Sequence, residues 1–264
     1  MIYKQIVDAY DCLVNKLSIR KTANKIGVSI KTAFVLRFQI ISCLKNIANN
    51  KELKGTSQLD EFYLPINLKG TKPENIPRIS KKRQKNGTGK SGISKHTVCV
   101  VSGVDECDNM IFKVAGTSNI SSDMIKNTIA KYIPKGSKVI TDCKSSYEKI
   151  AKENNWNLKQ VKSKSHVDSE GNNLATINSL HSELEYFLSG FRGVSTKHLP
   201  EYLDWFVYTK HLNYSKEYIE QASTYKKDTI GLILLTNIVM YLIIIATLIS
   251  MKYMQTIIIS PQNV

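Results

Sequence analysis

The chain is poor in arginine, in paired cysteines and in acids, and each shortage excludes something. Only five of its 37 basic residues are arginine (Arg20, Arg37, Arg78, Arg83, Arg192). The rest are lysine, a bias that an AT-rich gene also produces. The five cysteines (Cys12, Cys43, Cys99, Cys107, Cys143) are odd in number, scattered, and form no Cys-x-x-Cys. That leaves no zinc ribbon or dithiol motif, and fits small semi-buried residues in a reducing cytosol. The first thirteen residues contain acids and lack an apolar core, so they do not read as a signal peptide. Acids number 22, giving a net charge of +15 and a pI near 9.5. With 264 residues, 42% hydrophobic and 22% charged, the chain is neither disordered nor of low complexity. It is long enough for a main domain of roughly 150 residues plus a smaller one. The positive excess points to a polyanion, nucleic acid ahead of a membrane surface. It names no reaction.

Four zones separate by pattern. Residues 1–50 read as helical, with Ile2, Ile6, Tyr10 and Leu13 at spacings of three to four. Ser18 to Arg37 has the rhythm of a helix-turn-helix: Ala23 at the close approach, Gly27 in the turn, Ser29 as cap, and Ile30, Ala33 and Phe34 for packing. Lys31, Thr32 and Arg37 would then face DNA; the alternative is a plain three-helix bundle with solvated lysines. Residues 51–165 change period, within a core domain expected over 55–215. Gln58–Leu64, Thr97–Gly103, Met110–Ala115, Ser137–Thr141 and Leu158–Val161 read as strands. Helices are expected from a Ser121 or Ser122 cap to about Tyr132, near Tyr147–Asn154, and again over 170–215, where Leu199, Leu203, Trp205 and Phe206 look like core. Three meander strands, then helix, strand, helix and strand suggest an α/β fold of the ribonuclease H-like order.

Between the first two strands runs a Gly-, Pro- and Lys-rich loop, 69–95, with Lys81, Lys82 and Arg83 at its centre. It reads equally as a phosphate grip or as a solvated loop. The tail, 226–252, contains an uncharged run from Ile230 to Ser250 long enough to span a membrane as a helix. A transmembrane helix and an out-of-frame extension both fit that run.

Two acids stand out. Asp60 lies inside the first strand, where a charge needs a partner or a task, and Asp142 ends the fourth, where open α/β sheets place ligands. The bland reading of each is a turn or cap residue. Carboxylates from adjacent strands repel unless a cation lies between them, and Mg²⁺ awaiting a phosphate fits such a pair. Two ions about 4 Å apart stabilise both oxygens of a phosphodiester displacement. Asn178 follows Asp142 with thirty-five residues between.

Leu59-Asp-Glu-Phe-Tyr-Leu-Pro-Ile-Asn-Leu-Lys-Gly70, Gly92-Ile-Ser-Lys-His-Thr-Val-Cys-Val100, Ile177-Asn-Ser-Leu-His-Ser182 and Phe191-Arg-Gly-Val-Ser-Thr-Lys-His-Leu-Pro-Glu-Tyr-Leu-Asp-Trp205 occur in order. Together they resemble insertion-sequence transposases of the fifteen-ninety-five family (ISXO-like), over about residues 15–210. The resemblance implies a ribonuclease H-like core, with Asp60 and Asp142 as the first two catalytic acids and Asn178 in the third position. It implies two Mg²⁺ or Mn²⁺ ions, hydrolysis at the element's ends, and attack of the freed 3′ hydroxyl on target DNA. It also implies a homo-oligomer assembled on DNA and a cytoplasmic, nucleoid-associated location.

The family pattern is departed from in three places. An N-terminal zinc ribbon is expected before the helix-turn-helix. A lysine is expected seven residues after Asn178, where this chain has Glu185, with Glu183 nearby. The apolar tail has no family explanation. A catalytically degenerate DNA-binding remnant, membrane-tethered if the tail inserts, is therefore the competing reading. Glu61, beside Asp60, would face away from it on a regular strand. His181, three residues from Asn178, reads as a contact to DNA or to metal-bound water, or as a structural histidine. Arg192 and Lys197 flank a glycine turn and are assigned to phosphate.

Overall fold

The computed structural model describes residues 3–48, 52–70, 97–162, 167–191 and 193–223. Lys81, Lys82, Arg83, Arg192 and the tail at 226–252 lie outside the described residues. Among those described, no single helix is long and apolar enough to cross a membrane. The chain divides into two units, one of residues 51–203 and one of residues 1–50 with those from Asp204 onward.

The larger unit is built on five strands: β1 Thr56–Pro65, β2 Thr97–Asp105, β3 Met110–Thr117, β4 Lys138–Asp142 and β5 Asn157–Val161. Their order in the sheet is β3-β2-β1-β4-β5. β1 to β3 form the antiparallel meander, with Asp60 opposite Ser102. β4 runs parallel to β1, and β5 parallel to β4. This is the mixed order that the element sequence predicts. The turn from β2 to β3 is tied by Asp105, whose carboxylate accepts from the backbone N–H groups of Cys107 and Asn109.

Alternation along β1 sends Ser57, Leu59 and Glu61 to one face, all buried. There α4 (Ser122–Thr128) and α5 (Ser145–Glu153) bring Ile125, Tyr147 and Ile150 against Leu59, Val101, Ile111 and Val139. On the other face α6 (Ala175–Ser189) lies over β1 and β2, burying Ile177, Leu180, His181, Leu184 and Phe187. Two helices differ from expectation. α4 is capped by Ser121 but stops at Thr128, where the Thr128 hydroxyl bonds back to the Met124 carbonyl, and a 3-10 turn at Ala130–Tyr132 follows. The helix expected from residue 170 begins at Ala175, because Asp168 gathers the N–H groups of Glu170 and Asn172 into a turn.

Gly103 shows how closely the sheet packs. A Cβ there would meet Leu59, Leu53 and Ile129 carbons at 2.8–2.9 Å. Gly103→Ala is expected to lower stability by about 1–3 kcal/mol through overpacking, read as a fall in the urea midpoint at unchanged slope.

The smaller unit contains α1 (Tyr3–Val14), α2 (Ile19–Ile26), α3 (Ile30–Ala48) and, from Asp204 onward, α7 (Leu199–Ser223). The sequence assigned everything up to 215 to the core. The difference arises because residues after Asp204 pack on the N-terminal helices, with the Tyr10 and Tyr208 hydroxyls 2.7 Å apart. The turn between α2 and α3 forms as expected. Ser18 caps α2, Gly27 ends it at φ 67°, and the Ser29 hydroxyl accepts from Thr32 N–H. α2 and α3 are bent 105° apart. Ala33 is buried, but Ile30 and Phe34, expected to pack, are 55% and 37% exposed. The buried stripe on α3 is Ala33, Leu36, Arg37, Ile40, Ile41 and Cys43, and Ile30 and Phe34 fall outside it.

Arg37 is accordingly a correction. It is expected on the DNA-facing side, yet only 4% of it is exposed. Its guanidinium donates to the Leu17 carbonyl and lies 5.5 Å from the centre of the Trp205 ring. Lys31 is exposed, and the Thr32 hydroxyl is shared with Ser29.

Candidate active site

Parallel pairing of β1 with β4 matches Gln58 to Ile140, so Asp60 and Asp142, each two residues further along, come side by side. Carboxylate oxygens of Asp60, Glu61 and Asp142 all lie within 4.8 Å of one another. Gln58 fixes the opposite wall: its Oε1 accepts from Ile177 N–H at 3.0 Å and its Nε2 donates to the Thr176 hydroxyl at 3.4 Å. These bonds hold the start of α6 against β1. The result is a cleft of about 310 Å³ lined by Asp60, Asp142, Val161, Lys162, Leu174, Ala175 and Asn178. The three residues expected from sequence thus share one cavity.

Glu61 is on the far face from Asp60, as strand alternation requires, but its carboxylate is sealed from solvent and paired with Lys144. Lys144 also meets Asp142 Oδ2 at 2.9 Å, and its backbone N–H points to Asp142 Oδ1 at 3.3 Å. Burial pulls the Lys144 ammonium down, but its bonds to Glu61 and Asp142 outweigh that and hold it above the ordinary lysine value. The Tyr147 hydroxyl is buried without a hydrogen bond of ordinary geometry; burial, then the Glu61 charge, pushes it far up. Sequence reading missed Lys144. The available signal was Glu61 itself, an acid in register with Leu59 on the core face, which requires a cation nearby.

Asp60 is half-buried, and its desolvation raises its carboxyl to about 6. The Glu61 N–H it accepts at 2.8 Å works in the opposite direction, and the Glu61 charge adds to the rise. Three carboxylates with one lysine leave excess negative charge. An oxygen-only set of this kind suits a hard divalent ion.

His181, read from sequence as a contact to DNA or to metal-bound water or else as a structural histidine, is buried between the rings of Phe62 and Phe112, with centroids 5.3 and 6.3 Å away. Its Nε2 is 2.5 Å from the Ser102 hydroxyl and its Nδ1 is 3.8 Å from Asp60 Oδ2. Burial lowers its pKa to about 4. Among the other expected contacts, Lys197 is exposed on a 3-10 turn clipped to the end of β1 by paired bonds between Asn67 and Thr196. Glu185 is exposed on α6.

Asp60 and His181 give opposing pH dependences. Asp60 titrates above its unfolded value, so its contribution to stability is complete below about pH 4 and is lost as the pH rises through about 6. His181 titrates below its unfolded value, so its contribution is complete above about 6.5 and is lost as the pH falls through about 4. In the metal-free protein the two nearly cancel between pH 4 and 6. Asp60→Asn is expected to make stability climb with pH relative to the parent, and His181→Gln to make it fall. Each slope is about 1 kcal/mol per pH unit, measured by urea unfolding in chelator. Parallel curves for all three proteins would contradict the assignment.

Three solved structures bear a distant likeness to the chain. A simian T-cell lymphotropic virus intasome in complex with PP2A regulatory subunit B56 gamma is 10% identical, covering 76% of this chain and 67% of that one at a TM-score of 0.34. A pre-cleavage Mos1 transpososome is 10% identical, covering 73% and 70% at 0.27. The Mos1 strand transfer complex is 11% identical, covering 80% and 74% at 0.26. A search of curated protein sequences gives no match. The ISXO2-like transposase domain matches residues 52–210, a span holding all five strands, both cleft acids and the whole of α6. On that extent, more than half its length, this chain belongs to the ISXO2-like transposase family.

Proposed function

We propose that the chain is a metal-dependent DNA transposase that cleaves at the ends of its own element and joins the freed 3′ ends to target DNA. The observation that carries this reading is the pair Asp60 and Asp142 on neighbouring strands, opening on a cleft that Asn178 also lines. These three residues would hold two Mg²⁺ or Mn²⁺ ions. Bound ions would stabilise charge on the attacking and leaving oxygens. In the first step a water oxygen bonds to phosphorus and the bond to the 3′ oxygen breaks, leaving a 3′ hydroxyl. In the second, that hydroxyl attacks a target phosphorus and displaces a target 3′ oxygen, so no covalent enzyme intermediate forms. Asp60 and Asp142 supply the negative charge of the site, Asn178 a neutral oxygen. Lys197 and the basic loop at Lys81, Lys82 and Arg83, with Arg192, hold phosphates. The α2–turn–α3 pair reads DNA through Lys31 at the exposed start of α3. Because two ends must be brought together, the working form is a homo-oligomer on DNA.

A second reading, a DNA-binding remnant that no longer cleaves, is favoured by one observation. Glu185 is exposed on α6 two turns beyond Asn178, on the same face, and would repel phosphate. The test is Mn²⁺-dependent nicking and joining of the gene's flanking ends by the full chain and by Glu185→Lys. Nicking by the parent is expected, and Glu185→Lys should raise it about fivefold, since a Coulomb term there is on the order of 1 kcal/mol. DNA binding without cleavage in both proteins would favour the remnant.

A further inference from the structure

We infer that Nδ1 of His181 is a direct ligand of the divalent cation held by Asp60, so that α6 contributes a nitrogen donor to the site; the inference rests on the metal-dependent reading above. It follows first from the hydrogens. The Ser102 hydroxyl is 2.8 Å from the Asp60 backbone carbonyl and 2.5 Å from His181 Nε2. A carbonyl only accepts, so Ser102 donates its single hydrogen there and accepts from the histidine. Nε2 therefore carries the imidazole proton, and Nδ1 presents a lone pair.

Nδ1 lies 3.8 Å from Asp60 Oδ2, too far for a hydrogen bond. Two acceptors facing each other repel unless a cation lies between. Donors each about 2.1 Å from one ion stand roughly 3.0–4.2 Å apart as the angle between them opens from a right angle to a straight line. The observed separation falls within that range. The ring is also held as metal-binding imidazoles are, with its other N–H bonded to a fixed oxygen, and with Phe62 and Phe112 against it. Asn178, three residues earlier on α6, lines the same cleft. Helix α6 thus offers Asn178 to the cleft and an imidazole nitrogen 3.8 Å from Asp60 Oδ2.

An imidazole donor shifts preference from Mg²⁺ towards first-row transition ions. The site should therefore take Mn²⁺ more tightly than Mg²⁺, by a margin that depends on His181. The test is pulsed electron paramagnetic resonance on the full-length chain loaded with Mn²⁺. The expected result is modulation from one directly bound ¹⁴N, which disappears in His181→Gln while Mn²⁺ still binds, about tenfold more weakly. Ser102→Ala should retain the nitrogen coupling but also bind Mn²⁺ about tenfold more weakly. Wild-type protein grown on ¹⁵N-histidine provides a check that needs no variant: its coupling should convert to the ¹⁵N pattern. Bound Mn²⁺ without nitrogen coupling, a ¹⁴N pattern that persists in the labelled protein, or coupling unchanged in a folded His181→Gln would each overturn the inference and leave the carboxylate site standing. Mn²⁺ binding that is absent, or indifferent to Asp60→Asn and Asp142→Asn, would remove the metal-dependent reading together with it.

Discussion

Strand cleavage at the element's ends by Asp142→Asn is expected to fall by about three orders of magnitude, with stability changed by less than about 1 kcal/mol. The substitution keeps the shape of the side chain and removes its charge. The last strand residue is also held through its backbone, whose carbonyl accepts from the Thr141 hydroxyl and the Gln160 amide, and those bonds survive. On the proposed mechanism the loss falls on the charge that would hold the cation. Metal-held charge stabilises a phosphoryl-transfer transition state by several kcal/mol, and each 1.4 kcal/mol is a factor of ten in rate. End-labelled DNA from the gene's flanks, incubated with Mn²⁺ and each protein, gives the ratio directly. A ratio near one would remove Asp142 from the reaction.

The second large effect falls on stability. Lys144→Met in the metal-free protein should cost about 3 kcal/mol, because it leaves the Glu61 carboxylate buried without its cation. Lys144 is itself about a third exposed, which places the effect at the low end for a broken buried pair. The double variant Glu61→Gln, Lys144→Met should recover most of the loss, since a neutral amide imposes a far smaller burial penalty. Divalent cation should rescue the single variant more than it stabilises the parent, because a bound ion supplies the missing positive charge. Urea unfolding of the three proteins, with and without Mn²⁺, measures all of this. A single variant as stable as the parent would show that Glu61 does not depend on Lys144.

Much of the core unit was legible in the sequence because its signals are local. Alternation at Gln58–Leu64, the apolar run at Thr97–Gly103 and the Ser121 cap each involve neighbours, and each appears in the structure close to its expected bounds. Asp60 and Asp142 could be placed on adjacent strands because the element order restricts the topologies. What could not be read depends on partners far along the chain. Arg37 is buried because Trp205 lies beneath it, and nothing between residues 20 and 50 announces a ring that distant. The spacing of His181 to Asn178 leaves it open between a contact in the cleft and a structural histidine. Only the β1–β2 register, which brings Ser102 opposite Asp60, reveals the hydroxyl that holds it. The partner of Glu61 comes from Lys144 after a different strand, and an apolar-polar pattern does not encode which lysine answers a buried acid. Ile30 and Phe34 failed for a related reason: apolar periodicity on α3 does not say which side of the helix its neighbours cover, and the covered side runs through Ala33, Leu36 and Arg37.

Gln58 has one more consequence. It is the side chain that ties the first turn of α6 to the strand carrying Asp60, and it does so through the Ile177 amide, which in an ordinary helix start would face water. That amide is therefore a built-in gauge of the separation between helix and sheet. Its deuterium uptake follows the lifetime of one side-chain contact, not the unwinding of a helix. If loading the cleft draws strand and helix together, the event is recorded as slowed isotope exchange at a single residue. No label is required, and the record sits within one turn of Asn178.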